Sequence, residues 1–240
     1  MKNFVYCAPT KVVFGKDAES STGALVREEK GSKVLLIYGG GSIKHSGLFD
    51  RITASLEEAG IKYFELGGVV PNPRLSLVYE GIEICRREGI DFLLSVGGGS
   101  VIDTAKAVAY GVPYDGDVWD FFCGKAVPES CMPMGCVLTI SSAGSEMSNS
   151  CVITKEEEGG GLKRGYRNEI SRQRFAVLNP ELTYTLPPEQ TKYGAVDIMM
   201  HTMERYFTTE KGLYVTDALA EGLMRTVMEC MLILLDSPRD

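Results

Sequence analysis

The chain has 240 residues, a net charge of −7, 44% hydrophobic and 24% charged side chains, the make-up of a soluble globular protein with room for one large domain or two smaller ones. The acidic balance excludes a surface built for nucleic acid or anionic membrane, since neither attracts a negative protein. The start lacks an apolar stretch long enough for a signal peptide, and no run of about 18 apolar residues offers a membrane span, so a cytoplasmic location is expected.

The opening NFVYCAPTKVVFG has two short β-prone runs around Ala8-Pro9 and predicts a hairpin. KVLLIY (33–38) reads as a buried strand, and residues 43–59 as one helix ended by Gly60. KYFEL (62–66) predicts a second strand and residues 75–88 a helix closed by Gly89. DFLLSV (91–96) predicts a third strand, with a helix over 101–110. Strands alternating with helices imply right-handed crossovers and a parallel sheet. PMGCVLTI (133–140) reads as a further buried strand, and the polar, glycine-rich KEEEGGGLKRG (155–165) as an exposed loop. FAVLNPELTYTLP (175–187) carries the last strand signal.

From Pro188 the pattern is helical only, over about 188–208 and 213–235. The expected domains are therefore 1–186, α/β, and 187–240, the beginning of an all-helical domain. Two helices bury little surface, so the second domain reads as incomplete. The cysteines at 7, 85, 123, 131, 136, 151 and 230 are odd in number and form no C-x-x-C pair, which predicts reduced thiols, mostly buried.

SVGGGSVIDTAK (95–106) places three glycines between a buried strand and a helix. Glycine lets backbone N–H groups approach a ligand, and the helix N-terminus favours negative charge, so a pyrophosphate is the natural occupant. The spelling is neither G-x-G-x-x-G nor a Walker loop. A tight turn with Ser100 as helix cap is the structural alternative.

GGGSVIDTAK, with PNPRLSLVYEG, SSAGSE, NPELTYTLPP and GAVDIMMHTMERYF in that order, resembles the iron-containing alcohol dehydrogenase family, closest to its butanol dehydrogenase-type branch. The resemblance implies a Rossmann-like dinucleotide-binding domain followed by an all-helical domain, with the active site in the cleft between them. It implies that Gly98, Gly99, Ser100 and Asp103 hold the pyrophosphate and its neighbourhood. Thr139 and Ser142 would lie near the nicotinamide, and Lys163 near a ribose. The family usually has threonine where this chain has Ala143.

In the loop YGGGSIKHSG (38–47), NAD-preferring members place an aspartate for the ribose 2′-hydroxyl. Here Gly40, Gly41, Ser42 and Lys44 leave room and supply donors for a 2′-phosphate. NADP is therefore the expected cofactor, with NAD open; a solvated Lys44 is the plain alternative.

Asp197 and His201, four apart on a helix, would alone read more readily as a local ion pair. The resemblance makes them the first two ligands of Fe2+ or Zn2+, which suit such donors equally. It also implies two further histidines from the helical domain, whereas the only other histidine here is His45. The expected activity is NAD(P)H-dependent, metal-dependent interconversion of butanol-like primary alcohols and aldehydes, by a homodimer with no nucleic-acid or membrane partner. The 240 residues alone are expected to be inactive. The alternatives are a glycerol-type polyol dehydrogenase or dehydroquinate synthase sibling, and a non-catalytic nucleotide-binding module.

Overall fold

The computed structural model describes Asn3 and residues 5–239. Its strands are β1 (Lys11–Phe14), β2 (Lys33–Tyr38), β3 (Lys62–Leu66), β4 (Phe92–Gly97), β5 (Met134–Leu138), β6 (Ser150–Glu157), β7 (Gly160–Arg167) and β8 (Phe175–Leu178). Its helices are α1 (Thr22–Glu28), α2 (Ser42–His45), α3 (Leu48–Glu58), α4 (Leu75–Glu88), α5 (Gly99–Gly111), α6 (Trp119–Phe122), α7 (Pro188–Tyr206) and α8 (Tyr214–Asp236). Contacts divide the chain into two compact units. One holds residues up to 138 together with 145–179, and the other holds 139–144 together with 180 onward.

In the first unit six strands form one sheet in the order β1-β8-β5-β4-β2-β3, every pairing parallel. The expected α/β architecture with a parallel sheet is what forms. β4 is buried along its whole length and β2 everywhere but Lys33, as strands covered by helices on both faces must be. α5 is the most enclosed helix, with Val101, Ile102 and every residue from Thr104 to Gly111 buried. The Phe92 and Phe175 rings stack across β4 and β8 with centroids 5.8 Å apart.

Three expectations need correction. Residues 5–10 form no strand, and β1 instead pairs with β8 at the edge of the large sheet, Lys11 opposite Phe175. A ladder on an existing sheet is more stable than an isolated hairpin; residue 4 of the expected hairpin lies outside the described residues. The single helix over 43–59 is two, because Gly47 takes φ 70° between α2 and α3, a conformation glycine adopts without steric cost. The segment 155–165 is no loop. β6 and β7 pair antiparallel from Ser150↔Arg167 to Glu157↔Gly160, turning at Glu158-Gly159.

The cysteines divide by depth. Cys85, Cys136 and Cys151 are buried, Cys123 and Cys131 half-buried, Cys7 and Cys230 exposed. Burial pushes the Cys85 and Cys131 thiols up to about 12, so both stay protonated and unreactive near neutrality.

The second unit consists of α7, α8, a short 3-10 turn at Pro180–Thr183 and the six residues 139–144. The change to helix comes where the sequence pattern changes, but the unit already includes Pro180–Leu186 and the detached stretch 139–144. Gly194 is the single buried residue of α7, and α8 has none among the described residues. No helix among the described residues is long and apolar enough to cross a membrane.

Candidate active site

In the first unit the chain leaves β4 through Gly98, which sits at φ −90°, ψ −169°, and enters α5 with no side chain capping it. Val101 and Ile102 donate their N–H groups to Gly98 O at 3.0 and 3.2 Å. Ser100 is therefore inside the helix rather than its cap, and its carbonyl accepts from Thr104 Oγ1 at 2.9 Å. An uncapped N-terminus on a 13-residue helix leaves first-turn N–H groups for an anion. Neither Gly98 nor Gly99 has positive φ, and a Cβ on Gly99 would meet only Ser145 Cβ at 3.9 Å. The protein's own conformation and packing do not demand glycine at 99. Close approach by a ligand would.

Asp103 and Lys106, one turn apart on α5, brace what lies behind this loop. Asp103 accepts from Ser145 Oγ at 2.7 Å and from Val152 N at 3.0 Å. Burial raises its carboxyl, against the hydrogen bond from Ser145 and the charge of Lys106. Lys106, wholly buried, donates to Ser145 O at 2.7 Å, Ser148 O at 2.9 Å and Ser150 O at 2.8 Å. Burial lowers its pKa and Asp103 opposes that. Both oxygens of Asp103 are thus engaged by protein. Its part is to hold the 145–152 segment against α5.

The loop after β2 is turned by Gly41 at φ 121°, and Gly40 has open space where a Cβ would stand. Ser42 opens α2. Lys44 Nζ lies 2.9 Å from Glu65 Oε2 and over the rings of Tyr38 and Phe49, 5.0 and 4.5 Å from their centroids. Tyr38 donates its hydroxyl to the same Glu65 oxygen at 2.7 Å. Those hydrogen bonds from Tyr38 and Lys44 lower the Glu65 carboxyl. Lys163, on β7, donates to Asn72 Oδ1 at 2.8 Å. His45 packs its Nδ1 2.8 Å from Gly41 O and belongs to this first unit.

Asp197 and His201 lie in the second unit on one face of α7, with Asp197 Oδ1 3.6 Å from His201 Nε2. Metal bonds of about 2.0–2.2 Å would set two such donors roughly 3.4 Å apart at a tetrahedral angle, so the pair fits a metal with slight movement. The remaining atoms of both are already partnered. His201 Nδ1 lies 3.2 Å from Glu204 Oε2, and Asp197 Oδ2 accepts from Ser142 Oγ at 2.5 Å. A proton on Nδ1 facing Glu204 leaves the Nε2 lone pair for a metal. Among the described residues no group of three His, Cys, Asp or Glu could hold a metal ion, which leaves two ligands of the three or four such a site uses. Thr139, half-buried, begins the stretch that delivers Ser142. α7, α8, Ile140 and Tyr184 line an open apolar pocket of about 340 Å³.

A family profile described as iron-containing alcohol dehydrogenase matches residues 9–180. The chain belongs to the iron-containing alcohol dehydrogenase family. It is 47% identical over 231 residues to the probable NADH-dependent butanol dehydrogenase 2 of Bacillus subtilis, covering 95% of this chain and 58% of that protein. It is 37% identical to the NADPH-dependent aldehyde reductase YqhD of Escherichia coli, with 95% and 58% covered. The crystal structure of NADH-dependent butanol dehydrogenase A from Thermotoga maritima superposes with a TM-score of 0.96 at 42% identity, covering all of this chain and 60% of that one. The chain thus spans about three fifths of the length of these family members.

Sequence reasoning did not single out Tyr38, Glu65, Lys106, Ser145 or Glu204. The spacing of Asp103 to Lys106 and of His201 to Glu204, three residues on a helix, was the available signal for two of them. Glu65 and Ser145 reach their partners only through the fold.

Proposed function

We propose that this chain carries the dinucleotide-binding part and two metal ligands of an alcohol dehydrogenase and aldehyde reductase acting on butanol-like primary alcohols and aldehydes. The observation that carries this reading is the aim of Asp197 and His201. Each has its outer atom held, by Ser142 and Glu204, and its inner atom turned to the other. An ion pair alone needs no such bracing from both sides. When bound, Fe2+ or Zn2+ supplies Lewis acidity for a substrate oxygen, and the nicotinamide gives or takes hydride.

The part of the remaining residues is to bind and orient. The uncapped start of α5 with Gly98, Gly99 and Ser100 would take the pyrophosphate, with Asp103 and Lys106 fixing the wall behind it. Gly40, Gly41, Ser42 and Lys44 would meet the adenosine ribose, and Lys163 with Asn72 a neighbouring part of the dinucleotide. The half-buried Thr139 is kept for the nicotinamide.

The 38–47 loop has room for a 2′-phosphate and lacks an aspartate, which favours NADP(H). The Lys44–Glu65 pair weighs the other way, because the one cation there is already neutralised and a carboxylate repels phosphate. The names of family members point both ways, NADH for the Bacillus and Thermotoga proteins and NADPH for the Escherichia one. On this balance NAD(H) comes first in our reading. The cytoplasm and a homodimer complete it, supported by unpaired cysteines and by β1, an edge strand with Phe14 71% exposed.

The test is turnover by the protein at the length its gene encodes, reconstituted with Fe2+ or Zn2+. Butanal should be reduced with NADH or NADPH, and glycerol should not be oxidised. Glycerol oxidation with butanal inert would give the protein to the polyol branch. Cofactor binding without turnover of either would leave a nucleotide-binding module.

A further inference from the structure

We infer that Ser142 is a positioning residue for the metal ligand Asp197, an inference that rests on the metal reading above. Three observations within the second unit converge on it. Ser142 Oγ donates to Asp197 Oδ2 at 2.5 Å, at the short end of hydroxyl hydrogen bonds. The other oxygen, Oδ1, is the one that faces His201 Nε2. The stretch carrying Ser142 is docked on α7 at Gly194, where a Cβ would stand 2.4 Å from Ser141 O. Gly194 is the buried point of α7, and Asp197 follows it by one helical turn. The glycine thus permits a backbone approach that a side chain would forbid, and that approach delivers the serine to the carboxylate.

The physical effect follows from the torsion of aspartate. Rotation about the bond to the carboxylate is broad and two-fold, so a free Asp197 spreads its oxygens over many directions. Holding Oδ2 fixes Oδ1 toward His201 and leaves one oxygen for a metal rather than two. Glu204 does the corresponding service for the imidazole through Nδ1. Outer partners of this kind typically change metal affinity 10–100-fold when lost. In this role Ser142 acts through Asp197, a different part from the place near the nicotinamide that the resemblance implies.

The experiment titrates the apo-protein, at the length its gene encodes, with Co2+ and Zn2+ in competition with a chromogenic chelator. NADH binding is read separately by fluorescence. Ser142→Ala should weaken both metals roughly 10-fold or more and leave NADH binding unchanged. Ser142→Thr, which keeps the hydroxyl, should restore most of the metal affinity. Asp197→Ala serves as the reference and should abolish tight metal binding. If Asp197→Ala abolishes it while Ser142→Ala leaves it intact, the positioning role is overturned and the metal reading stands. If Ser142→Ala weakens NADH and not the metals, the serine belongs to the cofactor and the inference fails. If Asp197→Ala leaves metal affinity unchanged, the metal reading itself falls and takes the inference with it.

Discussion

On β2 of the sheet unit, Val34, Leu35, Leu36 and Ile37 are wholly enclosed, while on α8 of the helical unit Tyr214 is 83%, Leu219 69% and Leu232 68% exposed. Both segments are rich in the same apolar side chains. The difference is one of layers. Helices such as α4 and α5 cover the sheet and give its strands a complete core, whereas among the described residues α7 and α8 have chiefly each other. Helices gain most of their stability from packing an apolar face, so the two units should respond differently to the same kind of change.

The largest contrast is in stability. Phe92→Ala, which removes a wholly buried ring stacked on Phe175, should cost about 3–5 kcal/mol, seen as a lowered urea midpoint of the 240-residue chain. Leu232→Ala should stay within about 0.5 kcal/mol. Equal losses would mean that α8 is packed as firmly as β4, and the comparison would break.

Glycines sharpen the contrast further. Gly194→Ala in the helical unit should cost about 1–3 kcal/mol by forcing α7 away from Ser141, with NADH affinity untouched. Gly99→Val in the sheet unit should do the reverse. Melting should hardly change, since nothing crowds that Cβ, yet calorimetry should show NADH affinity down by about tenfold or more as the branched side chain blocks the backbone's approach. Normal binding by that variant would reduce the loop to a turn.

A smaller effect tests the sheet unit's polar staples. Burial raises the Asp91 carboxyl, but hydrogen bonds from the Ser32 hydroxyl and the N–H groups of Lys33 and Ser32 outweigh it and hold the carboxyl below its usual range. The folded state then favours the ionised form, so this stability is present above an unfolded value of about 3.9 and is lost as pH falls through the depressed folded value. Asp91→Asn should cost about 1 kcal/mol at pH 7 after solvent screening, and the gap from the unmodified chain should narrow in acid. A gap independent of pH would assign the loss to packing. Smallest of all, Glu65→Gln should release Lys44 and raise NADPH affinity relative to NADH several-fold, by about 1 kcal/mol or less as exposed charge pairs do. Unchanged relative binding would place the 2′-position away from this pair.

Legibility followed burial. KVLLIY is a strand over the residues the pattern marks, and α4 runs over the expected 75–88, because a buried face imposes its period on the sequence; KYFEL also forms its expected strand, although only Leu66 of it is buried. β6 and β7 were not legible. Cys151 and Ile153 face the core, while most of β7 faces solvent and follows no hydrophobic alternation. The break at Gly47 was hidden because α2 and α3 keep a helical period on either side. In the site, local spacing put Asp197 and His201 on one helix face, and only the family resemblance marked them as metal ligands, while the 98–100 loop was marked by its glycines. The destination of Ser142 could not, since its partner lies 55 residues away and is set by a glycine contact rather than by any pattern. The carboxylate beside Lys44 was likewise invisible from the 38–47 loop, because β3 brings it there from the neighbouring strand.

The excursion at 139–144 has a practical consequence for anyone building chimaeras from this family. The chain passes from the sheet unit to the helical unit after Leu138, returns at Ser145, and departs again after Asn179. A graft of the helical part taken from Pro180 onward would leave a six-residue piece of it behind, along with the hydroxyl that meets Asp197. A chimaera of this chain and a relative joined at that single junction would separate Ser142 from the helix that carries Asp197. A faithful exchange needs two inserts, the hexapeptide and the C-terminal helices, moved together.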